Sequence, residues 1–181
     1  MSRVVRHAVH AIAVLVGLPL AGLLAYDLWA VRPHVAGIEA LLAQADPQDA
    51  SPPRVIRDLI DAGVGSPRPH ATRLVLNHVY GTEAVGATQR HARELLWRML
   101  LPVHLDDTQM YGLFASQSYN GIDIGLSHFA QREYGKRLDA LSPRQAALTV
   151  AVTHAPSSHL RDRTRLEARA DWLLARSGHG R

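Results

Sequence analysis

The chain has 181 residues, 20 Lys and Arg against 16 Asp and Glu, a formal net charge of +4 and no cysteine. That length allows one domain of ordinary size plus an appendage, and the missing cysteine excludes a disulfide framework, a thiol nucleophile and a thiolate metal site. The basic excess, carried mostly by arginine, suits an anionic partner such as lipid headgroups or a pyrophosphate, and the lack of interleaved aromatic and basic residues argues against nucleic acid.

Arg3, Arg6 and His7 precede an apolar run from Ala11 to Tyr26. With Ala8, Val9 and the stretch Leu28 to Val31 it reaches about 20 residues, enough to cross a bilayer. Tyr26 and Trp29 fall where interfacial aromatics are expected, and Arg3 and Arg6 predict a cytoplasmic N-terminus with the bulk of the chain on the far side. Leu23, Leu24 and Trp29 crowd the small-residue positions that a signal cleavage site needs, so the reading is an uncleaved anchor. Gly17 and Pro19 predict a kink that a membrane span tolerates, and Asp27 falls near the outer interface, where its cost is low. The expected organisation is an anchor over 1–31, a connector over 32–50 and a helical domain over 51–181.

Within the connector, Val35 to Ala45 reads as a short helix with Ile38, Leu41 and Leu42 on one face, followed by the loop ADPQDASPP. Ser51 and Pro52 predict the start of a helix that buries Val55, Ile56, Leu59 and Ile60. After the break GVGSPRP, Thr72 to Tyr80 predicts another short helix. Arg90 to Leu101 predicts a helix with Ala92, Leu95, Leu96 and Met99 as its buried face and Pro102 as its stop. Its remaining sides carry Arg90, His91, Arg93, Glu94 and Arg98, with Glu94 spaced for ion pairs along the helix.

Asp106 with Gln109 three residues on predicts a capping box, ahead of a helix with Met110, Leu113 and Phe114 on one face. Gly121 and Gly125 predict a flexible loop. The next helix carries Leu126, Phe129 and Ala130 and ends at Gly135. Ser142-Pro143 with Gln145 opens another, apolar through Ala146, Ala147, Leu148, Val150 and Val152. A last helix, about Leu160 to Ser177, buries Leu166, Ala170, Leu173 and Leu174 and ends at Gly178. The predicted fold is all-α. Eleven histidines show no HExxH-like spacing, and no serine has a His and acid pattern of a triad, so neither a metal nor a cofactor is expected.

The stretch from Tyr119 to Pro156, YNGIDIGLSHFAQREYGKRLDALSPRQAALTVAVTHAP, runs as glycine turn, helix, helix stop and capped helix closed by proline. This order resembles the C-terminal half of the family 51 glycosyltransferases, the peptidoglycan glycosyltransferases, in which a phrase like YFGxGxxGIEAAARxYFGK-x-LTxxEAALLAGLPxAPS follows the catalytic helix. The matching residues are Tyr119, Gly121, Gly125, Leu126, Ala130, Arg132, Tyr134, Gly135 and Lys136, then Leu141, Ala146, Ala147 and Leu148, then Ala155, Pro156 and Ser157. Upstream, RHARELLWRMLL is similar to the family's RKxxE segment through Arg90 and Glu94, with His91 where Lys is usual; fainter likeness reaches back to residue 51.

The resemblance implies a lysozyme-like helical transglycosylase domain in the bacterial inner membrane, single-pass, with its bulk in the periplasm. It implies a lipid-pyrophosphate-linked disaccharide as ligand, met by Arg90, Arg93, Glu94 and Lys136, and cell-wall synthases as partners. The family's two carboxylates fall on Gly63 and Gly112, and most of the segment between its first motifs is deleted. Glycine can take no proton from an acceptor hydroxyl, so no catalytic residue is assigned. Three readings stay open: a degenerate domain that keeps a binding surface; a reduced but active enzyme polymerising lipid II with Asp61, Asp106, Asp107 or Asp123 as substitute acid, Asp61 the best placed; and an unrelated membrane-tethered helical interaction module. An open cleft with an inward carboxylate between Gly63 and Gly112 would favour the second reading, and an apolar filling the first.

Overall fold

The computed structural model describes residues 3–81 and 83–179. The side chains of Arg3, Arg6 and His10, and of the other residues in 3–12 apart from His7, lie outside the described residues.

Helix α1 (Arg3–Tyr26), a π-helical turn (Asp27–Val31) and α2 (Arg32–Gln44) form one unbroken rod. At 24 residues α1 is about 36 Å long, more than the hydrocarbon thickness of a bilayer. Leu15, Leu18, Leu20 and Leu24 are all exposed, and the helix is long and apolar enough to cross a membrane. Pro19 sits inside α1 without interrupting it. In the π turn the Arg32 amide donates to the Asp27 carbonyl five residues back, which adds a residue to the turn. From there the rod joins the domain, burying Val31, Ile38 and Leu42. Asp46 then caps α3 (Pro47–Ala50), its carboxylate accepting the Gln48 amide at 2.8 Å. Residues 32–50, expected as a connector, thus lie within the packed structure.

The rest of the chain folds as α4 (Arg54–Val64), α5 (Pro67–Tyr80), α6 (Ala87–His104), α7 (Asp107–Gln117), α8 (Leu126–Tyr134), α9 (Pro143–Ala151), α10 (Pro156–Arg161) and α11 (Arg163–Ser177). Short 3-10 turns cover Leu138–Ala140 and Val152–His154. No strand occurs among the described residues, and the protein is all-helical. Helix α7 is apolar around most of its circumference, which lets it divide the core. Its Met110 and Leu113 pack with Val31, Ile38, Val75, Trp97 and Leu101; its Phe114 and Ala115 pack with α4, α8, α9 and α11 through Ile60, Phe129, Ala147 and Leu173. The Asp106 and Ser142 capping boxes form as read, and Gly135 and Gly178 close α8 and α11 in the left-handed conformation.

Four expectations need correction. Helix α6 continues through Pro102 to His104: the proline withholds one helical amide, and the buried Leu101 and Leu105, bonded N–H to carbonyl at 3.1 Å, hold the last turn against the core. The same helix buries Trp97 and Leu101, while Ala92, Leu95 and Met99, expected in the core, face outward. Ser51 ends α3, and α4 starts only at Arg54. The loop through Gly121 and Gly125 is held, not loose. The buried Asn120 donates to the Gly125 carbonyl at 2.9 Å and accepts from the Ile122 and Asp123 amides at 3.3 and 3.2 Å. Both glycines have φ near +100°, and a Cβ would strike Leu160 at Gly121 and lie 2.8 Å from Asp49 Oδ2 at Gly125.

Candidate functional site

On α5, Arg73, Asn77 and Tyr80 follow one another at spacings of four and three, which puts them on one helical face; on α6, Arg93 and Glu94 lie three and four residues after Arg90, on its side of the helix. The two faces, with Gly81, Glu83 and Val85, line a cavity of about 370 Å³. The Arg93 guanidinium lies 3.9 Å from the centroid of the Tyr80 ring and donates to Glu83 at 3.0 Å. Arg73 donates to Glu94 at 3.2 Å, so Glu94 pairs across to α5 and not along α6. Tyr80 is fixed from behind by the edge of Trp97 and by His34, each with its centroid 5.9 Å away. Burial, helped by the neighbouring Tyr26 and Glu83, holds the Tyr80 phenol above its ordinary range and keeps it a neutral donor. Arg90 is exposed and has no carboxylate within ion-pair distance among the described residues. A cavity with one uncompensated guanidinium beside two that exchangeable carboxylates hold is suited to an anion, and the planar fork of arginine matches phosphate oxygens.

Lys136 is not part of this cavity. It follows the end of α8, donates to Gln145 Oε1 at 3.2 Å, and borders a separate hollow of about 220 Å³ with Asp46, Ser127 and His128. Arg90, Arg93 and Glu94 therefore converge and Lys136 stands apart. Arg73, Asn77 and Tyr80 were not nominated from the sequence, although their spacing as a polar stripe was there to be read.

Beside the second hollow is another residue that sequence reasoning passed over. Asp49, on α3, is 3 % exposed and accepts the Ser127 amide at 3.0 Å. Helix α8 begins at Gly125 without a side-chain cap of its own, and Asp49 supplies that carboxylate from a distant part of the chain. Desolvation pushes the Asp49 carboxyl up to about 6, against the opposing pull of its Ser127 hydrogen bonds.

The two positions where the family resemblance puts carboxylates are packing positions here. A Cβ on Gly112 would overlap the Ala50 carbonyl oxygen, because α3 crosses α7 at that point, so no acidic side chain fits. At Gly63 the carbonyl accepts from Arg169 at 3.2 Å, and a Cβ would meet Leu173 Cδ2 at 3.2 Å. Beside Gly63 remains a cavity of about 20 Å³, lined by Ile60, Phe114, Val150 and Leu173 with His70 and His154 and without a carboxylate. That is room for about one water.

The substitute acids are mostly engaged. Asp106 caps α7; Asp107 receives two bonds from Arg68 at 3.0 and 2.7 Å. Burial works to raise the Asp123 carboxyl, but bonds from Asn120 and Arg132 outweigh it and hold the group below the ordinary range. Asp61 accepts from the Tyr111 hydroxyl at 2.6 Å and faces an open groove shared with Arg54, Arg57 and Asp58. Burial and that hydrogen bond push the Tyr111 phenol strongly upward. The groove of Asp61 and the arginine cavity share no lining residue. Among the described residues no group of three or more His, Asp or Glu side chains is placed to hold a metal ion.

No model of a known protein family matches the chain, and a search of characterised proteins finds no match. The likeness to the family 51 glycosyltransferases rests on the residues quoted for it above.

Proposed function

We propose that this chain is a single-span protein of the bacterial inner membrane whose periplasmic helical domain, lysozyme-like in the manner of the family 51 glycosyltransferases, holds a lipid-pyrophosphate-linked disaccharide without polymerising it. One observation carries this reading: Arg90, uncompensated, opens with Arg93 and Arg73 onto a single cavity of about 370 Å³ in a chain that also has a helix fit to cross a bilayer. The overlap at Gly112 and the small cavity beside Gly63, which no carboxylate lines, support the loss of transfer chemistry, since a general base must be within reach of the proton it removes. A place beside cell-wall synthases agrees with the same ligand.

The test is binding by the full chain in lipid nanodiscs. A disaccharide joined through pyrophosphate to a short polyprenol should bind at least about tenfold more tightly than the same lipid without the pyrophosphate, and Arg90→Ala with Arg93→Ala should erase the difference. Equal affinity for both lipids would overturn the reading. A reduced but active enzyme has one observation in its favour, the Asp61–Tyr111 pair on an open groove. Glycan strands made by the wild type and not by Asp61→Asn would establish it instead.

A further inference from the structure

Helix α6 has two apolar faces, and only one is used. Trp97 and Leu101 are fully buried in the core. On the opposite side Leu95, Met99 and Val103, four residues apart in succession, are 59, 51 and 75 % exposed. Single exposed apolar residues are ordinary on a protein surface; a helical stripe of them is an unfilled contact.

The structure fixes where that stripe lies. His104, next to Val103, bonds Asp27 Oδ1 through Nε2 at 2.7 Å, and Asp27 is the residue directly after α1. The C-terminal end of α6 is thereby pinned to the point where the apolar rod enters the domain, and α6 packs on the rod at the π turn. At the same turn Trp29 is 86 % exposed and Leu28 is exposed as well. Exposed apolar residues therefore stand on both elements that meet at this junction: Leu24, Leu28 and Trp29 on the rod, and Val103, Met99 and Leu95 along α6. Arg32 and Arg98 flank it, both exposed and both without a carboxylate in ion-pair distance among the described residues.

We propose that the outer face of α6 rests in the headgroup region of the bilayer that α1 crosses, so that the domain meets the membrane at a second place. This rests on reading α1 as a membrane span. A lipid surface accounts for all the parts together: an exposed apolar stripe on the helix pinned beside the anchor, a tryptophan at the level of the exit, and exposed arginines able to snorkel to anionic headgroups.

The absence of cysteine makes the test direct. Single variants Leu95→Cys, Met99→Cys and Val103→Cys, with Leu18→Cys as a marker for the anchor and Arg144→Cys for water, carry a nitroxide in the full chain reconstituted into vesicles of neutral and anionic phospholipid. The label at 18 should be severalfold more accessible to oxygen than to a water-soluble nickel chelate and the label at 144 the reverse, while the labels at 95, 99 and 103 should fall between them, with an oxygen-to-nickel ratio severalfold above that at 144. If position 18 is in lipid but 95, 99 and 103 are in water, the proposal fails and the anchor stands. If position 18 is also in water, both fail. If the α6 labels are shielded from both reagents, protein covers the stripe, a second copy of the chain included, and the proposal is overturned.

Discussion

Asp49 shows how one side chain can tie distant segments together and make stability depend on pH. Its carboxyl titrates near 6 in the folded protein and near 3.9 when unfolded, so between those values the folded state binds more protons. Its contribution is therefore fully present below about pH 4 and is lost as pH rises through 6. Chemical denaturation of wild type against Asp49→Asn should show the wild type losing up to about 3 kcal/mol relative to the variant across that window, and no further change above it. A flat difference between pH 4 and 7 would mean that Asp49 is ionised throughout. Nothing near Asp49 in the sequence announces this role, because the amide it caps belongs to Ser127 on another helix. The caps at Asp106 and Ser142 were readable because donor and acceptor there lie three residues apart.

Between elements, glycine marks the closest approach. Gly112 lets the backbone of α3 lie against α7, and the atom a methyl group would strike is the Ala50 carbonyl oxygen, which cannot rotate away. Gly112→Ala should cost about 2–4 kcal/mol, measured by denaturant unfolding in detergent. Gly63→Ala meets only the movable end of Leu173 at 3.2 Å and gains up to about 1 kcal/mol of helix propensity, so it should be near neutral. Equal costs at the two positions would refute this account of α3 against α7. A glycine in a helical pattern reads as a missing side chain; only the crossing helix reveals the reason. The face of α6 was misread on similar grounds. Its apolar residues occur on both sides, and periodicity identifies a stripe without saying whether protein or something else lies against it. Arg90, Arg93 and Glu94 share a helical face and meet in one cavity, whereas Lys136 depended on how α8 and α9 are folded away from α6.

For the molecule as a whole, the rod from α1 through α2 is part of the core at one end and exposed at Leu15, Leu18, Leu20 and Leu24. The all-helical class was legible because caps, stops and 3.6-residue stripes are local signals. The continuity of the rod was not, since Arg32 and Pro33 look like the end of an anchor and instead open α2 without a break. A continuous helix predicts a domain held at one attitude. Spin labels at Leu18→Cys and Arg176→Cys should give a single narrow distance distribution in nanodiscs; a broad one would mean that the junction bends freely.

The π turn at Asp27–Val31 then acquires a directional meaning. One residue more or less on a helix swings everything beyond it by about 100° around the axis. Without the wide turn, Ile38 and Leu42 would point away from the body they now hold, and that body would have to hang from another side of its stem. A single inserted residue thus sets the compass bearing of the domain about the axis of its stem.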